Sequence, residues 1–145
     1  MPDRNHQKRV GLLDFQDATL GHRMYDLVSL LQDARRDVPP EIETEMRRRY
    51  ALATNRDPQQ DEIAYAVLGV QRNLRIIGLF ARRCVRDGKP HYLDLMPRVW
   101  SLLIRNLDHP ALSDLRQMTL GLVPAPSNTI LNTLRQRCET IPTPS

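Results

Sequence analysis

The 145-residue sequence has only two cysteines, Cys84 and Cys138, and neither has a second Cys or a His beside it. That excludes the spaced ligand pairs of a structural zinc site. The polar start, Met1–Arg9, has no apolar stretch of signal-peptide type, which argues against a secreted disulfide framework. Both cysteines are read as reduced packing residues. Aromatic residues are scarce, at 5%, so a core must be built from Leu, Ile, Val, Met and Ala. No uninterrupted apolar run approaches the roughly 20 residues that cross a bilayer, so no membrane partner is expected and the expected location is cytoplasmic. The length suits one domain with a core and is too short for two ordinary ones.

What is present is mostly charge and helical periodicity. The net charge of +4 could suit an anionic partner. However, acids are interleaved with the arginines, and Arg47-Arg48-Arg49 closes a segment that begins with Glu41, Glu43 and Glu45. Acids early and bases late suit a helix macrodipole, so the run reads as a solvated helix face and nucleic acid is not the expected partner.

Along the chain, Lys8–Phe15 reads as a short strand, with Val10 and Leu12 on one face and Leu13 and Phe15 on the other. Gln16–Arg23 reads as a loop. From Met24 the period becomes helical, with Leu27, Leu30, Leu31 and Ala34 on one face and Pro39-Pro40 as the stop. Glu41–Thr54 presents Ile42, Met46, Tyr50 and Ala53. The longest segment, Gln59–Arg86, carries Ile63, Val67, Val70, Leu74, Ile77, Ala81 and Cys84 at three- and four-residue steps, and Gly88 should cap its end. Tyr92–Leu107 should break near Met96, because Pro97 lies inside it. Its Trp100 and Tyr92 read as core. Ala111–Leu120 is a shorter helix. Ser127 should cap a last helix reaching about Cys138, and Ile141–Ser145 should fray.

The chemistry concentrates in Leu12-Leu13-Asp14-Phe15-Gln16-Asp17-Ala18, followed by Gly21 and Tyr25-Asp26-Leu27. Carboxylates just past a strand end are held at fixed points. Magnesium takes one or two such carboxylates together with phosphate oxygens. This string resembles the aminoglycoside phosphotransferase and small-molecule kinase superfamily, which shares the protein-kinase fold. Gln71–Arg82 and Arg86–Leu93 are similar to segments of its bacterial cell-wall-recycling branch, whose members phosphorylate N-acetylmuramate or N-acetylglucosamine at the anomeric position.

The resemblance implies that Asp14 is a magnesium ligand. It implies that Asp17 supports the same metal site, and that Asp26 is a buried brace accepting backbone N–H groups of a catalytic loop. Arg72, Asn73 and Arg75 are candidate substrate-side residues, and helix-surface ion pairing is the competing reading for them. His22 is read as a loop residue without a catalytic part. Magnesium and ATP are the implied cofactors and a small-molecule hydroxyl the implied acceptor.

The family's catalytic loop, His-x-Asp-x-x-x-x-Asn, ends about a dozen residues before the metal-binding Asp. Only 13 residues precede Asp14 here, and none form that pattern. The expected fold is therefore mainly α: a partial helical C-lobe of a protein-kinase-like fold with a short N-terminal strand or hairpin remnant. It is read as one domain, with 1–22 as strand and metal-binding loop, 23–138 as helical body and 139–145 as tail. The expected function is that of a phosphotransferase C-terminal part, inactive alone because the catalytic loop and nucleotide-binding lobe are absent. Two alternatives are a non-catalytic, pseudokinase-like partner-binding module, self-associating through the exposed strand, and a basic nucleic-acid-binding helical domain.

Overall fold

The computed structural model describes residues 20–141. Among them there are six α-helices and no strand: α1 (Met24–Leu31), α2 (Pro40–Thr54), α3 (Pro58–Val85), α4 (Met96–Leu107), α5 (Ser113–Leu122) and α6 (Asn128–Gln136). The strand read at Lys8–Phe15 lies outside the described residues, as do Asp14 and Asp17.

The boundaries follow local chemistry. Pro40 opens α2, and Asn55, in the left-handed region at φ 50°, closes it. Asp57 caps α3 by accepting from the Gln59 N–H at 3.0 Å. At the other end Gly88 takes φ +64°, and the Lys89 N–H reaches back to the Arg83 carbonyl at 3.0 Å. The break near Met96 is present: a 3-10 segment, Pro90–Leu95, hands over to α4 with Pro97 in its first turn. Ser127 caps α6 as expected.

α3 is the axis on which the other elements pack. By length and mean hydropathy alone its span Asp61–Val85 would suit a membrane crossing. In this fold its buried stripe is taken up by α1, α4, α6 and the 3-10 segment. Three apolar clusters result. One joins Phe80 and Cys84 to Leu93, Met96, Val99 and Leu131. A second joins Ala66 and Val70 to Leu103, Leu107 and Leu112. The third seats Met24, Val28 and Leu31 of α1 on Tyr65. Each fully buried Leu stabilises the fold by about 1.5–3 kcal/mol. Trp100 and Tyr92 are half-buried against these clusters, and the Tyr92 ring lies 5.2 Å from Phe80. Cys84 and Cys138 are free thiols in the first cluster.

Several sequence expectations are corrected. α1 stops at Leu31 instead of running to Pro39, and Leu30 is exposed while Val28 and Met24 are buried. On α2, Ile42 is exposed and Glu43 is buried. On α3, Ile63 and Val67 face solvent, and Tyr65 takes an inward position beside Ala66, which the apolar pattern also places inside. The common cause is a buried polar junction that sets how these helices are rotated. The helix expected at Ala111–Leu120 is shifted, with a 3-10 turn first at Pro110–Leu112. Ile141, expected to fray, is instead tied down: the Glu139 and Ile141 N–H groups bond the Cys84 and Val85 carbonyls (3.1 Å each) at the end of α3, and residues 142–145 lie outside the described residues.

Candidate functional site

The junction is built from four helices. Gln32, just past α1, is 1% exposed. Its side-chain amide donates to Glu43 Oε1 (3.2 Å) and Asn106 Oδ1 (3.1 Å), and its Oε1 accepts from Asn73 (3.1 Å) and Asn106 (2.8 Å). Glu43 also accepts from the Tyr65 hydroxyl at 2.7 Å and pairs with Arg105. A carboxylate with three donors is tolerable when buried. Burial and then the Glu43 carboxylate push the Tyr65 phenol well above its ordinary pKa, so it stays a donor.

The helices come close here because residue 69 is glycine. A Cβ at Gly69 would lie 2.4–2.7 Å from the Asn106 side chain. Sequence reasoning missed Gln32, Glu43, Tyr65, Arg105 and Asn106. The one available signal was polar residues on apolar stripes, such as Asn73 after Val70 and Asn106 between Leu103 and Leu107.

The substrate-side candidates are placed differently from one another. Asn73 is fully buried and bonded to Gln32. Arg72 donates to the Gln32 carbonyl (2.8 Å) and to Ser29's (3.5 Å), closing the C-terminus of α1. Burial lowers its pKa from the ordinary arginine value. Only Arg75 of the three faces solvent, along a groove with Gly78, Leu79 and Arg82. Asp26 sits in the first turn of α1 and is exposed, not buried as its family role implies. His22 is an exposed loop residue whose Nδ1 accepts from the Met24 N–H at 3.2 Å. Of the Arg47–Arg49 run, Arg48 and Arg49 pair with Glu45 on the helix surface, while Arg47 reaches Glu62 and stacks 4.5 Å over the Tyr65 ring.

Among the described residues no three His, Cys, Asp or Glu side chains converge as metal ligands. The metal assignment to Asp14 and Asp17 therefore rests on sequence. A second feature is a cavity of about 360 Å³ between α1, α2 and the head of α3.

Comparison with known proteins decides the lineage. Residues 3–67, which span Asp14, Asp17 and Asp26, match the family described as the phosphotransferase enzyme family. The chain is 46% identical over 120 residues to an N-acetylmuramate/N-acetylglucosamine kinase of Caulobacter vibrioides, covering 80% of this chain and 32% of that protein. The chain is similar to the phosphotransferase enzyme family. Kinases of the same name from Pseudomonas aeruginosa (38% over 120 residues, 77% of this chain and 36% of theirs) and Neisseria meningitidis (41% over 104 residues, 67% and 31%) are further members that it resembles. The chain spans about a third of the length of these curated relatives. In this helical body Asp26 heads α1 and the polar junction fixes α1 against α3.

Proposed function

We propose that this chain is the helical C-lobe portion of a magnesium-dependent kinase that moves a phosphoryl group from ATP to a hydroxyl of an amino sugar. The observation that carries the reading is the 46% identity across 80% of the chain to a protein named as such a kinase. In this reading Asp14 holds the metal and Asp17 supports it. Asp26, exposed at the head of α1, braces a catalytic loop that this sequence does not contain, and Arg75 faces the substrate side. When bound, magnesium supplies positive charge against the phosphate oxygens. The contribution of this chain is to hold its carboxylates at fixed points, which Gln32, Arg72 and Asn73 support by anchoring the far end of α1. A cytoplasmic location belongs to the same reading.

Taken alone, the 145 residues should not turn over, because phosphoryl transfer depends on positioning and charge stabilisation by parts this sequence lacks. A coupled assay with ATP, magnesium and N-acetylglucosamine tests both points. The expected result is no turnover. Metal-dependent turnover that survives Asp14→Ala would overturn the assignment.

A further inference from the structure

The end of α3 and the chain after α6 bring the two cysteines together. Cys84 is fully buried in the last turn of α3, and its Sγ donates to the Leu134 carbonyl of α6 at 3.3 Å. Cys138 follows Leu134 by four residues and packs against the same apolar cluster. The chain is still turning there, with the Cys138 N–H bonded to the Arg135 carbonyl at 3.1 Å. The next N–H, that of Glu139, bonds the Cys84 carbonyl at 3.1 Å. One hydrogen bond therefore separates the two backbones. A disulfide needs an approach of that kind, because it bridges Cα atoms about 4.4–6.8 Å apart. The thiols are themselves close enough for a hydrogen bond between them.

The two cysteines differ in access. Cys84 is 0% exposed, while Cys138 is partly exposed. Burial and the neighbouring thiol push Cys84 up to about 11, which makes it a poor first nucleophile. Cys138 is the way in. Both thiols are free in this structure, the state that a reducing compartment maintains. A bond between them would close a loop that contains α4, α5 and α6.

We propose that Cys84 and Cys138 form a site of reversible oxidation that reacts with a small organic disulfide of the glutathione type. Cys138 loses its proton and attacks one sulfur of the small disulfide, whose other half leaves as a thiol. A mixed disulfide then sits on Cys138. Cys84 attacks the Cys138 sulfur, the mixed bond breaks, and the departing thiolate takes up the Cys84 proton. The pair thus loses two electrons and two protons, and the small disulfide becomes two thiols. The new bond staples the chain after α6 to the end of α3, and excess small thiol reverses it. The site uses nothing from the sugar-kinase reading and stands or falls apart from it.

The test is incubation of the folded 145-residue chain with excess oxidised glutathione, followed by intact mass and thiol counting. The expected product has lost two hydrogens and both free thiols, and dithiothreitol restores them. Closure should be at least about tenfold faster than in the urea-unfolded chain, because the fold holds the sulfurs together. Tm should rise by roughly 10 °C on oxidation, because the cross-link restricts the unfolded chain. Cys138→Ser, at the partly exposed position, should leave the folded chain unreactive, since Cys84 is reached only through Cys138. Cys84→Ala should stop at the mixed disulfide. A folded wild-type chain that does not react, a mixed disulfide that persists on it, or closure no faster than in urea would overturn the proposal. So would a mixed disulfide on Cys84 in folded Cys138→Ser.

Discussion

The two halves of α3 solve the same packing problem with different chemistry. The C-terminal half, with Ile77, Phe80 and Cys84, meets Leu93, Met96, Val99 and Leu131 in an apolar cluster. Dispersion and burial hold that end, and neither is directional. The N-terminal half and the middle also have apolar contacts, but Tyr65 donates to Glu43 and Asn73 to Gln32, which also bonds Asn106, while Gly69 leaves room for the Asn106 side chain. Partners spaced up to 74 residues apart must arrive together. The apolar half therefore contributes stability, and the polar half contributes register, fixing how α1 and α2 are turned against α3.

That division can be broken from either side. The largest effect is expected at the apolar end. Leu93→Ala, at a fully buried position, should cost about 3 kcal/mol in denaturant unfolding with an unchanged slope. Gly69→Ala should cost about 2 kcal/mol, because its Cβ would collide with Asn106. The sharper readout is a double-mutant cycle: in an Asn106→Ala background the same change should become nearly neutral. If the cost is the same in both backgrounds, the close approach at Asn106 is not what requires glycine.

Tyr65→Phe should cost about 1 kcal/mol by removing one donor to Glu43. It should also change the alkaline limb of the stability curve. Burial and Glu43 raise the folded-state pKa of Tyr65 above its ordinary value of 10.0, so the folded chain keeps a proton that the unfolded chain loses. Stability should fall as pH rises above about 10, and less steeply in Tyr65→Phe. The smallest effect concerns the thiols. Burial and the neighbouring Cys138 thiol push Cys84 up to about 11, so a thiol reagent at neutral pH should label Cys138 and spare Cys84 until the chain unfolds.

The same contrast explains what could be read from sequence. Val70, Leu74, Ile77 and Cys84 were legible because apolar periodicity reports a buried face directly. Ile42, Ile63 and Val67 were misplaced because their helices are rotated by polar contacts with no local signature. Glu43 looks like a surface acid until Tyr65 and Arg105 are brought to it. Gly88 and Ser127 were legible as caps because their chemistry is local. At the candidate site, the Leu13–Asp17 string was readable as a motif, and it lies outside the described residues.

The most direct test of the central claim is a graft. The 120 matching residues of this chain would replace their counterpart in the Caulobacter vibrioides relative, and ATP-dependent phosphorylation of N-acetylglucosamine would be measured with magnesium. The account predicts an active chimera whose turnover falls by at least about 10³-fold on Asp14→Ala, the scale on which loss of charge stabilisation acts. A folded but inactive chimera, or one whose activity survives Asp14→Ala, would contradict it.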